Sequence, residues 1–262
     1  MRAQIRSIAR GLLLDFLGIG AKPSSGIHLL NSHVLTTDEE LNSDFFDHQL
    51  KNLSKKSTII PFGEAVELIK ARKEVGSSLI AFSYDDGFLD CYSHIAPVLE
   101  KYNGYGCFFI NPNFIESSKD YIDSFLRKNT YLPLYKRPMN WKQVTELQTR
   151  GHIIGAHTMD HNRISKITNE NELISQIGNC KKGIENRLKG TCDYFAFPFG
   201  CPERDFDIRS VDVAEQFYKY IFSASNWKYY FSYNGRVINR RHCEPYWKAN
   251  HIDYFLSKKM NF

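Results

Sequence analysis

The sequence predicts an α/β fold, a parallel sheet with helices packed outside it. Three observations predict it. Short apolar runs alternate with helical patterns along the chain, the signature of repeated βα units. Runs such as Leu79-Ile80-Ala81-Phe82 are continuously apolar, as strands buried on both faces are. The number of βα units is near that of a barrel.

In order, 27–35 reads as a short strand. Thr36 with Glu39 and Thr37 with Glu40 form overlapping capping boxes ahead of a helix at 43–55. A short strand at 58–61 and a helix at 64–73 follow, then the strand Ser78–Tyr84 and a helix at 92–102. Cys107–Ile110 is another buried strand. A helix at 140–149 stops at Gly151, a suitable C-cap, before a strand at 152–156. The clearest helix is 169–189, where Leu173, Ile177, Cys180, Ile184 and Leu188 make one apolar stripe. Strands at 194–197 and 220–224 complete the set.

The chain has 262 residues, long enough for one large domain with a substantial core. Hydrophobic content of 42% and charged content of 24% exclude a disordered chain. The net charge of +5 is scattered. Its densest basic pairs, Lys181-Lys182 and Arg240-Arg241, are too short for a nucleic-acid arm, so no nucleic-acid partner is expected. Six cysteines without C-x-x-C spacing read as reduced thiols in a reducing compartment.

Residues 1–25 read as an N-terminal amphipathic helical segment and 26–262 as a single domain. Arg2, Arg6 and Arg10 precede Leu12-Leu13-Leu14, and Asp15 interrupts a run too short for a signal peptide or a bilayer span. The expectation is a cytoplasmic protein, with this helix offering peripheral contact to the inner membrane face. Oligomeric state is not legible.

Two motifs carry chemistry. Asp85-Asp86-Gly87 follows one strand and gives two adjacent carboxylates, with Gly87 free to turn the chain. Two carboxylates in contact repel, and a divalent cation removes that penalty. His157 and His161 follow another strand, and their i, i+4 spacing would place both on one face of a helical turn. Asp86, His157 and His161 make an Asp-His-His ligand set with a position left for water. Asp85 is then free to act as a base. Imidazole ligands favour Zn2+, with Co2+, Ni2+ or Mn2+ as alternatives.

In order, Ser83-Tyr84-Asp85-Asp86-Gly87, Gly151-His152-Ile153-Ile154-Gly155-Ala156-His157-Thr158-Met159-Asp160-His161 and Phe195-Ala196-Phe197-Pro198-Phe199-Gly200 resemble the three motifs of the polysaccharide deacetylase family of carbohydrate esterases. The match spans roughly residues 27–245. The resemblance implies a distorted (β/α) barrel of about seven parallel strands and metal-dependent removal of acetyl from an N-acetylhexosamine in a glycan or lipid-linked precursor. By position, Asp85 resembles the catalytic base, Asp86, His157 and His161 the metal ligands, and the backbone N–H of Phe199 an oxyanion donor.

Two departures stand out. The position aligned with the family's base-holding arginine is Ala196, which leaves Arg240 or Arg241 to hold Asp85. The late L-x-H motif that supplies a general acid is missing. His33, in an element similar to a subgroup's Y-H element, is the candidate acid, with His242 and His251 behind it. Trp227 is a candidate to line the acetyl pocket or to stack on sugar, with a place in the core as the other reading. Two other readings stand beside the deacetylase: a hydrolase of non-sugar amides or formyl groups on the same scaffold, and a catalytically impaired glycan-binding homologue.

Overall fold

The computed structural model of the chain describes residues 2–33, 43–129, 136–224, 226 and 228–262, with side chains from Arg10 onward. Leu35, the capping boxes at 36–40 and Trp227 lie outside the described residues. The first half runs α1 (Arg2–Leu17), β1 (Gly26–Ser32), α2 (Ser43–Leu53), β2 (Thr58–Ile59), α3 (Phe62–Lys70), β3 (Ser78–Tyr84), α4 (Ala96–Lys101), β4 (Cys107–Ile110), α5 (Lys119–Asn129) and α6 (Trp141–Thr149). The second runs β5 (Ile153–Ala156), α7 (Glu170–Ile174), α8 (Cys180–Leu188), β6 (Tyr194–Ala196), α9 (Ile208–Glu215), β7 (Tyr220–Phe222), β8 (Phe231–Ser232), β9 (Val237–Ile238), β10 (Arg241–His242) and α10 (Ala249–Leu256).

The sheet order is β10-β1-β3-β4-β5-β6-β7-β9-β8, with β2 added beside β3. Every pairing is parallel except β8 with β9. The two ends meet through one run of chain. Ile238 of β9 pairs with Phe222 of β7, and Arg241 of β10 pairs with Leu30 of β1. Residues 237–242 thus serve both edges. With β1, β3, β4, β5, β6 and β7 they give the seven parallel positions of a distorted, partly open barrel.

Alternation along the strands separates two cores. Leu29, Ala81, Phe109, Ala196, Phe222 and Ile238 form one with α3, whose Phe62 meets the rings of Phe109, Tyr194 and Phe222 from three strands. Leu30, Phe82, Phe108, Ile154, Phe195 and Ile221 form the other, against the helical layer. Fully burying one such side chain contributes roughly 1.5–3 kcal/mol, against a strand-propensity range of about 1 kcal/mol. Burial therefore holds strands as short as β6 and β7.

The helices at 92–102 and 169–189 each contain a wide π turn, Cys91–Ile95 and Ser175–Asn179. Pro97, which has no N–H to give to the preceding turn, accounts for the first. In the second, Gly178 lies where a Cβ would come within 2.7 Å of the Phe217 ring. Helices α5, α9 and α10 were not evident in the sequence; α9 opens with a reciprocal Asp207–Ser210 cap that lacks the usual Glu or Gln.

Helix α1 lies against α10 through the side that carries Leu14, Asp15 and Gly18. Asp15 pairs with His251 Nε2 at 2.8 Å and Lys248 Nζ at 2.7 Å. Gly18 comes so close to Asn250 that a Cβ would meet its carbonyl oxygen at 2.5 Å. Leu12, Leu13, Phe16 and Ile19 consequently stand exposed, Phe16 at 72%. No helix among the described residues is long and apolar enough to cross a membrane.

Candidate active site

The chemistry-bearing residues gather where the parallel strands end, because each parallel strand delivers its C-terminal end to the same rim. His33 follows β1, Asp85 and Asp86 follow β3, His157 follows β5, Phe199 follows β6, and His242 ends β10.

The Asp85 amide still donates to Ser32 O at 2.9 Å, so Asp85 continues the ladder with β1. The turn comes one residue later, at Asp86 with φ +75° and Gly87 with φ +90°. Asp tolerates the left-handed region better than most residues. This break in the strand's alternation lets neighbouring carboxylates serve one rim. At Gly87 a Cβ would come within 2.8 Å of Ile115 Cδ1.

The histidine loop departs from the expected helical turn. Thr158 at φ +65° and His161 at φ +55° are left-handed, which an α-helix cannot contain. The two imidazoles converge through this irregular loop instead. Asn111 Nδ2 donates to the carbonyls of His157 and Thr158. Asp160 accepts from Asn113, from the Tyr121 hydroxyl and from Gln176, which sits in the π turn before α8. Asp160 therefore anchors the loop.

Asp86 Oδ1 lies 3.2 Å from His161 Nε2 and 3.7 Å from His157 Nε2. The three groups are buried, and their donor atoms lie within 4.8 Å of one another. His157 Nδ1 donates to Ala196 O at 2.8 Å, which leaves Nε2 as the free lone pair facing Asp86. Asp86 Oδ1 and His157 Nε2 have no hydrogen-bond partner despite full burial. Ligands at 2.0–2.1 Å round a tetrahedral Zn2+ stand about 3.3 Å apart. The two measured separations bracket that value, so the residues fit a divalent metal ion. Burial, opposed by His33 and reinforced by Asp85 and Glu244, pushes Asp86 up to about 7. Burial also pulls His157 down to about 4 and His161 well below its usual value, which keeps both imidazoles neutral.

Asp85 has a different setting. Burial alone would raise its carboxyl, but Arg240 holds it well below the usual range. The guanidinium is bidentate, Nη1 to Oδ1 at 2.7 Å and Nη2 to Oδ2 at 2.9 Å. Arg240 also donates to Ser83 Oγ and Ser223 O, both at 2.9 Å, and lies 4.7 Å from the centre of the Phe109 ring. At Gly155 a Cβ would come within 2.5 Å of that ring.

Of the two candidate arginines, only Arg240 reaches Asp85. Arg241 points to the other face of the strand, onto His28 Nδ1 at 2.8 Å and the Lys258 carbonyl. The period of two decides this: Arg240 and His242 share a face that Arg241 does not. Arg241 is accordingly withdrawn as a holder of the base. His251 is bound to Asp15 beneath α1, so it is withdrawn as a candidate acid.

His33 sits at the rim with its side chain 34% exposed, its Nδ1 2.8 Å from Glu244 Oε1. Burial works against its charge, but the hydrogen bond and charge of Glu244 prevail and raise it to about 9. Its backbone N–H donates to Glu244 Oε2 at 3.2 Å. His242 lies beside it, with ring centres 5.4 Å apart. Glu244 was missed in the sequence. Its signal was parity, since 240, 242 and 244 alternate onto one face past a strand end.

Phe199 takes φ +60° and Gly200 φ +64° in the turn after β6. A Cβ at Gly200 would lie 2.3 Å from Ala224 N, so only glycine fits. The Phe199 ring meets His161 edge-on at 4.8 Å, and Arg163 stacks on it at 4.2 Å. Four non-glycine residues with positive φ, at 86, 158, 161 and 199, thus border one cluster, the clustering expected of a functional site.

No curated protein matches the chain. Among solved structures, IcaB from Ammonifex degensii superposes with a TM-score of 0.70 at 18% identity, over 90% of this chain and 99% of that one. The Streptococcus pyogenes deacetylase PplD, solved in complex with acetate, gives 0.64 at 17% over 88% and 97%. A de-N-acetylase from Aggregatibacter actinomycetemcomitans gives 0.59 at 17% over 88% and 98%. At these identities the likeness establishes the fold. The polysaccharide deacetylase family model matches residues 72–217, which contain both metal-type motifs and the Pro198-Phe199-Gly200 turn. The chain belongs to the polysaccharide deacetylase family.

Proposed function

We propose that residues 26–262 form a single catalytic domain that hydrolyses the N-acetyl group of an N-acetylhexosamine in a glycan or lipid-linked glycan precursor. Zn2+ is the ion we assign to Asp86, His157 and His161. One observation carries the reading: a buried, convergent Asp-His-His set stands beside a second carboxylate that Arg240 keeps ionised. A divalent ion held there would polarise the acetyl carbonyl and acidify the attacking water.

The chain's own groups supply the proton transfers. Asp85 takes a proton from the attacking water, and Arg240 keeps the carboxylate charged and oriented. The Phe199 N–H donates to the oxygen that gains charge as the carbonyl carbon becomes tetrahedral. His33, charged through Glu244, gives a proton to the sugar nitrogen as the C–N bond breaks, leaving acetate and an amine. His242 has its pKa lowered by burial and is the weaker donor of the two. The intact constellation favours this over a non-catalytic glycan binder.

Zinc-loaded protein should release acetate from N-acetylglucosamine oligomers and leave formyl and non-sugar amides untouched. Turnover only of the latter would replace this reading with the broader amide hydrolase.

The six free cysteines support a reducing, cytoplasmic setting. The outward apolar face of α1, beside the exposed Arg10 and Lys22, supports peripheral contact with an anionic lipid surface. Co-sedimentation with phosphatidylglycerol vesicles, abolished by Phe16→Asp, is the expected result. Equal recovery with neutral vesicles would remove the charge argument.

A further inference from the structure

We propose that His33, His242 and Glu244 form a second transition-metal site at the rim, separate from the Asp86 cluster, and that a zinc ion there inhibits the enzyme. The three donor atoms lie within 4.8 Å of one another. Glu244 Oε1 is 2.8 Å from His33 Nδ1 and 3.6 Å from His242 Nε2. These separations bracket the roughly 3.3 Å expected between ligands of tetrahedral zinc, as those of the Asp86 cluster do. The donor set is also the same, two imidazoles and one carboxylate.

The site is built rather than incidental. Glu244 is buried and accepts the His33 backbone N–H on Oε2, which turns Oε1 toward the two rings. The Cys243 amide donates to Asn31 O at 2.9 Å, tying this strand end to β1 just below His33. The Trp247 ring stands edge-on to His242 at 5.5 Å, packed beside the imidazole. The His33 and His242 side chains are 34% and 37% exposed, so an ion can enter without unfolding.

Occupation has a consequence for catalysis, which rests on the role proposed for His33. An ion on His33 Nδ1 displaces the proton shared with Glu244. The imidazole then no longer carries the charge that makes it a proton donor. Zinc in excess of one equivalent should therefore slow turnover, while the first equivalent is needed for it.

The test is Zn2+ binding by equilibrium dialysis of the metal-stripped full chain, read by elemental analysis. Wild type should bind two equivalents. Asp86→Ala and His242→Ala should each bind one, and the double variant none. A wild-type stoichiometry of one, or two equivalents retained by His242→Ala, would overturn the proposal. His242→Gln, which keeps the side chain's bulk, repeats the test should His242→Ala fold poorly. Acetate release separates the two readings. Two equivalents without deacetylation leaves this site standing and sinks the proposed activity. Deacetylation with one equivalent does the reverse. Two equivalents with unimpaired turnover sinks the inhibitory role.

Discussion

Asp86→Ala or His157→Ala is expected to abolish the tightly held metal ion, whereas Asp85→Asn keeps the ion and loses turnover. The loss at Asp85 should be about 10²–10⁴-fold, the usual weight of one general base. The two carboxylates adjoin in sequence, yet their surroundings differ in kind. Asp86 Oδ1 has no hydrogen-bond donor and faces the Nε2 atoms of two neutral imidazoles. A buried carboxylate so placed costs free energy unless a proton or a cation joins it. Asp85 has its cation already, in the two-pronged contact with Arg240. Metal content after gel filtration and acetate release, measured on the same samples, separate the two roles. Wild-type turnover in Asp85→Asn would remove it as the base. Undiminished metal in Asp86→Ala would dissolve the ligand set.

The sheet was legible because its strands are short, apolar and bounded by turn residues. Ser78–Tyr84 and Cys107–Ile110 carry the same limits in sequence and structure. The closing run at 237–242 was not, because two polar arginines interrupt it and each half pairs with a different edge. The metal-type cluster was legible as spacing, but its geometry was not. The i, i+4 pair suggested a helical turn, and two left-handed residues produce the convergence instead. In the sequence Ala196 stands only as the position that lacks the family's base-holding arginine. Its carbonyl, which no side-chain comparison can see, fixes the tautomer of His157. Glu244 escaped notice because a lone carboxylate past a strand end has no signature until its partner is in place.

Replacing Arg240 should cost both stability and activity, and the pattern across variants identifies why. Arg240 and Asp85 are almost wholly buried, at 0% and 1% exposure. Removing one partner of such a pair strands a charge and typically costs about 3–5 kcal/mol. For a domain of this size that is a Tm lower by roughly 6–20 °C. Arg240→Met keeps the bulk against Phe109 and loses the charge, so it should show the full effect with no turnover. Adding Asp85→Asn to it removes the stranded carboxylate and should recover part of the stability, leaving the protein inactive. Arg240→Lys retains a charge but cannot fork across both carboxylate oxygens while reaching Ser83 and Ser223. It should keep more stability than Arg240→Met yet still turn over slowly. Arg241→Met gives the contrast: it loosens the contacts with His28 and Lys258 on the outer face, and turnover per folded molecule should persist. If Arg240→Met melts and turns over like wild type, the pair does not hold the base. If the double variant is no more stable than Arg240→Met alone, the loss came from packing and not from the stranded charge of Asp85.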